Sequence, residues 1–239
     1  MQRNSCYLRA KQVIMNQVNI AELYRRVKEF CEHDTTGHDW WHVQRVTQLA
    51  LHLAKYEGAN LQLVEPAALV HDTDDWKLKG EEGYPNATKM LAAVGYSSKQ
   101  IDLILEIVEQ VSYRGAGVDT TPRSIEAIVV QDADRLDAIG AIGIARAFAY
   151  GGSKHRPMFL PHLKPQLHET FEEYKAAQGH TINHFYEKLL LLKNRMNTVT
   201  AKILAEERHR FMEVFLERFL RSGTLGHDYC NYRYGYQHL

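Results

Sequence analysis

Apolar residues recur along most of the chain at the three- and four-residue spacing that places them on one face of an α-helix. The clearest helix runs from about Trp40 to Tyr56 and is ended by Gly58. Its apolar face is formed by Val43, Val46, Leu49, Ala50, Leu53 and Ala54. Before it, Asn19 followed by Glu22 resembles a capping box and predicts a helix to about position 32.

Proline, glycine and capping residues mark the other predicted helices. Pro66 suits the first turn of a third helix, and this helix is expected to carry His71 and Asp72. Further helices are predicted over residues 86–94, 97–111, 122–150, 182–196 and 197–221. No segment forms a convincing strand. We therefore expect an all-α fold, a single-domain helical bundle.

The expected domain occupies residues 18–222, between an N-terminal extension, 1–17, and a C-terminal tail, 223–239. Residues 151–181 are rich in Lys, His, Pro and Gly and are predicted to form a long loop with one helical turn near 169–177. Loops of this length are usually functional or disordered.

Composition narrows the possible partners. The 239 residues carry 29 basic and 29 acidic side chains, so nothing favours nucleic acid as a main partner. Cys6, Cys31 and Cys230 lie far apart, which fits a reducing cytosol better than a disulfide framework. The longest apolar run, 189–192, is too short to span a membrane, and the N-terminus lacks a signal-peptide core. We expect a cytoplasmic protein without a membrane partner; the sequence does not indicate its oligomeric state.

Polar residues interrupt the apolar pattern at a few positions. His71 and Asp72 close the apolar run 67–70, where buried polar groups need partners, and a divalent metal ion would be one such partner. His42 falls on the buried face of its helix, although a lone histidine there is more often a satisfied core residue. The predicted helix 122–150 carries Asp132, Asp134 and Asp137 in an otherwise apolar stretch, where a cation or an arginine must compensate them.

Taken in order, His42, the pair His71-Asp72 and Asp134 resemble the H…HD…D pattern of the HD-domain metal-dependent phosphohydrolases. The resemblance extends over about residues 20 to 220. The strings 37–42, 131–140 and 182–186 are similar to a bacterial subfamily that includes nucleoside triphosphate pyrophosphohydrolases.

The resemblance implies that His42, His71, Asp72 and Asp134 bind one divalent metal ion. Two imidazoles and two carboxylates suit Mn²⁺, Mg²⁺, Co²⁺, Fe²⁺ or Zn²⁺, and leave two octahedral positions for water and a phosphate oxygen. Asp132 is an alternative candidate: it could replace Asp134 as a ligand or support one of the ligands. It lies about 200° around the helix from Asp134, so both cannot easily face one ion.

The resemblance also suggests which residues act on a phosphate substrate. Asp75, three positions after Asp72, inherits the role of orienting or deprotonating the attacking water, with Asp74 as a competitor. Arg45 is expected to meet the phosphate because it lies one turn from His42. Other candidates for substrate binding are Lys77, Lys154, Arg156, His38 and His184, and Trp40 or Trp41 for base stacking.

One absence favours a single metal ion. HD-type cyclic-dinucleotide phosphodiesterases use extra histidines on the helix after the HD pair, whereas the chain has none between 98 and 111. The leading hypothesis is hydrolysis of nucleoside or deoxynucleoside triphosphates to release pyrophosphate. The alternatives are a 5′-nucleotidase, an alarmone-type pyrophosphate hydrolase and a non-catalytic nucleotide-binding module.

Overall fold

The computed structural model describes residues 18–74, 83–112, 117–176 and 179–222. These ranges contain helices and no strand, which confirms the all-α prediction. The predicted extension 1–17 and tail 223–239 lie outside them, as do Asp75 and Lys77. The helices are α1 (Ile20–Cys31), α2 (Trp40–Glu57), α3 (Leu61–Val70), α4 (Pro85–Ala93), α5 (Ser98–Glu109), α6 (Ile125–Asp137), α7 (Gly140–Ser153), α8 (Phe171–Ala176), α9 (Thr181–Glu187), a 3-10 helix (Leu189–Arg195) and α10 (Val199–Ser222).

Helix α2 is the centre of the bundle and packs against α3 on one side and α6 on the other. Most of its predicted apolar face is buried, with Val46, Ala50 and Leu53 fully inaccessible to solvent and Leu49 partly exposed. Asp39 caps its first turn by accepting from the N–H of His42, and Gly58 ends it with a positive φ of 75°. The local sequence thus sets both ends of the helix that contributes His42.

Helix α3 begins earlier than predicted. Asn60 caps it by accepting from the N–H of Gln62, so Pro66 lies inside the helix and not in its first turn. The helix ends at Val70 and His71 is its C-cap residue. The prediction that this helix carries His71 and Asp72 is therefore wrong, because the pair lies in the turn that follows the helix.

The long helix predicted over 122–150 is two helices, and Gly140 explains the break. Its φ of 77° is left-handed, a conformation that glycine adopts at little cost. A Cβ atom at position 140 would lie 3.1 Å from Cβ and Cγ of Arg208, so the glycine also lets α10 approach closely. Because the surrounding segment Ala138–Ala145 consists of small apolar residues, its sequence looks like uninterrupted helix.

Two further boundaries differ from the predictions. The helix expected over 182–196 is divided into α9 and the 3-10 helix, and α10 begins at Val199 rather than at 197. Helix α8 provides the helical turn predicted near 169–177. In the described part of the chain, no helix is both long and apolar enough for a membrane span. The cytoplasmic location stays a prediction.

Asp132 fixes the start of α10. Its buried carboxylate accepts from the backbone N–H groups of Asn197 and Thr198, at 2.9 and 2.8 Å. It also accepts from the Asn197 side-chain amide at 2.8 Å and the Thr198 hydroxyl at 2.9 Å. Thr198 in turn accepts from the N–H of Ala201 in the first turn of α10. Asp132 thus attaches the start of α10 to α6.

We predict that Asp132→Asn lowers the free energy of unfolding by about 3 kcal/mol, since an amide would turn a donor toward these donors and lose charge-assisted bonds. Urea unfolding followed by circular dichroism measures the change. Asp102→Asn, on the exposed side of α5, is the matched control and should change stability by less than about 0.5 kcal/mol. Equal stability of the two variants would contradict the prediction.

Candidate metal centre

Four side chains from three parts of the fold converge on one point. His42 comes from α2, His71 and Asp72 from the turn after α3, and Asp134 from α6. The Nε2 atom of His42 lies 3.0 Å from Oδ2 of Asp72 and 3.6 Å from Oδ1 of Asp134. The Nε2 atom of His71 lies 3.4 Å from Oδ1 of Asp72 and 3.9 Å from Oδ1 of Asp134. The structure therefore brings together the four residues that the sequence proposed.

The hydrogen bonds of the two imidazoles decide which nitrogens face the cluster. Nδ1 of His71 lies 2.8 Å from the carbonyl oxygen of Ala68, and Nδ1 of His42 lies 2.7 Å from Oδ2 of Asp137. Both partners can only accept, so each Nδ1 carries a hydrogen and each neutral ring directs the Nε2 lone pair inward. The two Nε2 atoms are 3.3 Å apart. With both rings neutral, four electron-rich atoms face one another, so a metal ion or a proton on Nε2 must lie among them.

The spacing of the donor atoms fits a metal ion. Atoms about 2.1 Å from one ion lie about 3 to 3.5 Å apart in octahedral or tetrahedral sites, close to the separations observed here. The donor atoms of His42, His71 and Asp134 all lie within 4.8 Å of one another, as do those of His38, His42 and Asp72. Imidazole and carboxylate together suit first-row divalent metals. The described residues could therefore hold one ion.

Electrostatics keep the carboxylates ionised. Burial raises the pKa of Asp72, but His71 and His38, when protonated, outweigh burial and hold that pKa well below its usual range. Burial also raises the pKa of Asp134, but His71 and His42 have the larger effect, so this pKa is lowered overall. Its side chain is 28% exposed, so Asp134 lies on the open side of the cluster. A ligand can approach from that side.

Asp137 supports His42 from behind, a role that the sequence did not reveal. Its buried carboxylate holds Nδ1 of His42 and accepts from Nε of Arg45 at 2.6 Å and Nη1 of Arg146 at 3.1 Å. Arg146 also donates to the carbonyl oxygen of Gly37, which fixes the segment before α2. One feature of the sequence could have indicated this role. Asp137 follows Asp134 by three residues, which places both carboxylates on one side of α6. A carboxylate behind a ligating histidine fixes its tautomer and raises its basicity.

His38 supports the cluster from the opposite side. Its Nδ1 lies 2.8 Å from Oδ2 of Asp72, and its ring meets those of His42 and Tyr150 edge to face. Nζ of Lys154 lies 5.7 Å from the centre of the Tyr150 ring. The proposed substrate cation Lys154 is thus connected to the cluster through Tyr150 and His38.

The other proposed residues lie elsewhere. Arg45 contacts Asp137, and Asp132 is at the start of α10. Asp74 accepts from the N–H groups of Asn86 and Ala87 at the start of α4. Arg156 follows α7, and His184 lies on α9, which packs against α7. Trp40 packs edge to face on Tyr24, whereas Trp41 is 61% exposed.

Metal affinity should rise with pH. Burial and Arg146 favour neutral His42, but the hydrogen bonds with Asp137 and Asp72 outweigh them and raise the pKa of His42 above its usual value. Without metal, a proton therefore occupies Nε2 below that raised pKa, and a metal ion must displace it. Calorimetric titration with Mn²⁺ between about pH 6 and about pH 8 should show tighter binding at higher pH and proton release. Affinity independent of pH would contradict this.

Asp137→Asn should weaken Mn²⁺ binding by about 10- to 100-fold, because the amide no longer holds His42 in its ligating orientation with a charged acceptor. The same calorimetric titration measures this. Asp132→Asn, which removes another buried carboxylate of α6, should retain wild-type affinity. If both variants lost affinity equally, general destabilisation would explain the result and the role of Asp137 would be refuted.

Comparisons with known proteins agree with this geometry. The HD domain family profile matches residues 40–139, which include all four cluster residues. The uncharacterised protein YpgQ of Bacillus subtilis (strain 168) is 40% identical over 208 residues, covering 85% of this chain and 94% of YpgQ.

Solved structures give the same result. A Lactobacillus plantarum protein matches with a TM-score of 0.76 at 39% identity, covering 85% of this chain and 95% of its own. An HD-superfamily hydrolase of Bacillus thuringiensis matches with a TM-score of 0.65 at 40% identity, covering 87% and 97%. The crystal structure of YpgQ in complex with ADP matches with a TM-score of 0.66 at 35% identity, covering 85% and 97%. The chain therefore belongs to the HD-domain phosphohydrolase family.

Proposed function

We propose that the protein is a metal-dependent phosphohydrolase that cleaves nucleoside or deoxynucleoside triphosphates and releases pyrophosphate. The observation that carries this proposal is the convergence of two imidazole nitrogens and two carboxylates, which needs a cation to be stable. Asp134 leaves one side of this cluster open to a ligand. YpgQ was crystallised with ADP, which supports a nucleotide as the substrate.

His42, His71, Asp72 and Asp134 would hold one divalent ion, with Mn²⁺, Mg²⁺, Co²⁺, Fe²⁺ and Zn²⁺ as the candidates. When bound, such an ion lowers the pKa of a water molecule and polarises a phosphoryl oxygen. Asp137 and His38 keep two of the ligands oriented through the bonds to His42 and Asp72.

The proposed reaction is an attack of water on the α-phosphorus. A bond forms between the water oxygen and phosphorus, the bond to the pyrophosphate oxygen breaks, and a carboxylate accepts the proton of the water. Asp75 is the proposed base because the competing residue, Asp74, already accepts hydrogen bonds from two backbone N–H groups at the start of α4. Lys154 and Arg156, which follow α7, are proposed to bind the phosphates, together with Lys77 and His184.

Arg45 has a different proposed role in this scheme. Its guanidinium makes two hydrogen bonds to Asp137, at 2.6 and 3.1 Å, and is 33% exposed. A contact with phosphate would have to compete with this charge-assisted pair. We propose that Arg45 acts mainly through Asp137 and His42.

The test is a substrate screen with Mn²⁺, Mg²⁺ and Co²⁺ against nucleoside mono-, di- and triphosphates, with phosphate and pyrophosphate measured separately. We expect pyrophosphate and a nucleoside monophosphate from triphosphates. His71→Ala and Asp72→Ala should lower kcat/KM by roughly 1000-fold or more, because they remove ligands of the ion that stabilises transition-state charge.

Matched controls are His52→Ala on the exposed side of α2 and Asp102→Asn on α5, both of which should keep wild-type activity. Release of phosphate from monophosphates alone would replace the proposal with a 5′-nucleotidase. Pyrophosphate release only from a 3′-pyrophosphorylated nucleotide would indicate alarmone hydrolysis. Tight nucleotide binding without turnover with any metal would indicate a binding module.

A further inference from the structure

A cavity of about 780 Å³ lies between α2, the end of α6, the first turn of α7 and α10, and the described residues that line it include none of the four cluster residues. Cavities of this volume fall within the usual range for small-molecule sites. Asp137 and Arg45 form part of its wall, so the cavity adjoins the residues that hold His42 from behind. Nothing in the proposed hydrolysis uses this space.

The walls of the cavity are mostly apolar. They are formed by Leu49, Ile139, Ile142, Phe211 and Val214. Ile142 is 45% exposed, Phe211 52% and Val214 41%, although each is a large apolar side chain. Grouped apolar exposure around a concavity usually marks a binding surface.

The polar part of the wall is cationic. Arg45, Arg208 and Arg210 line the cavity together with two acidic residues, Glu207 and Asp137. The Asp137 carboxylate is only 2% exposed and already accepts from His42 and Arg146 as well as Arg45. Asp137 and Arg45 are therefore already paired, which leaves Arg208 and Arg210 against one carboxylate, Glu207, and gives the wall an excess of positive charge.

Arg208 lacks full compensation within this wall. Its Nη1 donates to the carbonyl oxygen of Leu136 at 2.5 Å, a neutral acceptor at the C-terminal end of α6. Burial lowers the pKa of Arg208, and the more distant charges of Asp137 and Glu207 do not restore it. Arg208 can lie against the start of α7 because Gly140 has no side chain there. An anion placed beside Arg208 would supply the missing charge.

We propose that this cavity is a second binding site, for a small amphipathic anion with an aromatic or aliphatic body and one acidic group. The body would pack against Ile142, Phe211 and Val214, and the acidic group would meet Arg208. The site is separate from the metal cluster, and binding requires neither the metal nor turnover.

The test uses 8-anilinonaphthalene-1-sulfonate, an aromatic sulfonate whose fluorescence increases in apolar sites, titrated into the full-length metal-free protein. We expect saturable binding at one site with a dissociation constant on the order of 10–100 µM. Arg208→Gln should weaken binding at least about tenfold. Ile142→Asp, which places a carboxylate in the cavity, should abolish it; Ile142 is exposed, so this variant should fold.

Two matched controls should bind the probe as the wild type does. Ile203→Asp makes the same change on α10 at a residue that is 69% exposed and outside the cavity wall. Arg123→Gln removes a surface guanidinium that is 69% exposed. All variants are compared after near-UV circular dichroism confirms native packing, because the dye also binds partly unfolded protein.

Three results would overturn the proposal. These are the absence of saturable binding, equal binding by Ile142→Asp and Ile203→Asp, and a dimer in light scattering that Ile142→Asp dissociates. The last result would mean that a second copy covers the cavity. His71→Ala should keep probe binding while losing metal binding, so failure of this proposal is distinguishable from failure of the proposed hydrolysis.

Discussion

The hydrogen bond of 2.7 Å between Asp137 and Nδ1 of His42 is the interaction on which the rest of the centre depends. It fixes which nitrogen of His42 carries the hydrogen and so directs the lone pair of Nε2 toward Asp72 and Asp134. The carboxylate can stay charged in this buried place because Arg45 and Arg146 both donate to it. Helices α2, α6 and α7 are thereby joined at the point where the proposed metal ligands meet.

Three aspartates of α6 have three separate roles because a helix turns by about 100° per residue. Asp134 faces the donor cluster, and Asp137, three residues later, stays on that side and meets His42. Asp132 lies about 200° away from Asp134 and holds the start of α10. One short segment therefore positions one proposed metal ligand, supports another and attaches α10.

The guanidinium groups near the cluster already donate hydrogen bonds to acceptors within the protein, so a phosphate would have to compete for them. Arg45 and Arg146 compensate Asp137, and the buried Arg135 donates to the carbonyl oxygen of Arg195 and the hydroxyl of Thr120. This arrangement leaves Lys154, near Tyr150, as a cation on the His38 side of the cluster. An arginine near a ligand in sequence is thus a weak indication of phosphate contact, because buried carboxylates compete for the same donors.

The sequence by itself determined the all-α class, the helix that contributes His42 and the four residues of the cluster. Helical periodicity, capping at Asn19 and termination at Gly58 are local properties, so a single segment is enough to predict them. The tertiary structure decided what local patterns could not show. The break between α6 and α7 is marked by the left-handed φ of Gly140, where Arg208 of α10 approaches closely. The packing of the helices decides that Asp132 meets the start of α10 and that Asp134 faces the cluster. The role of Asp137 likewise required partners 92 and 95 residues away, since the burial and compensation of a charge depend on long-range packing rather than on sequence neighbours.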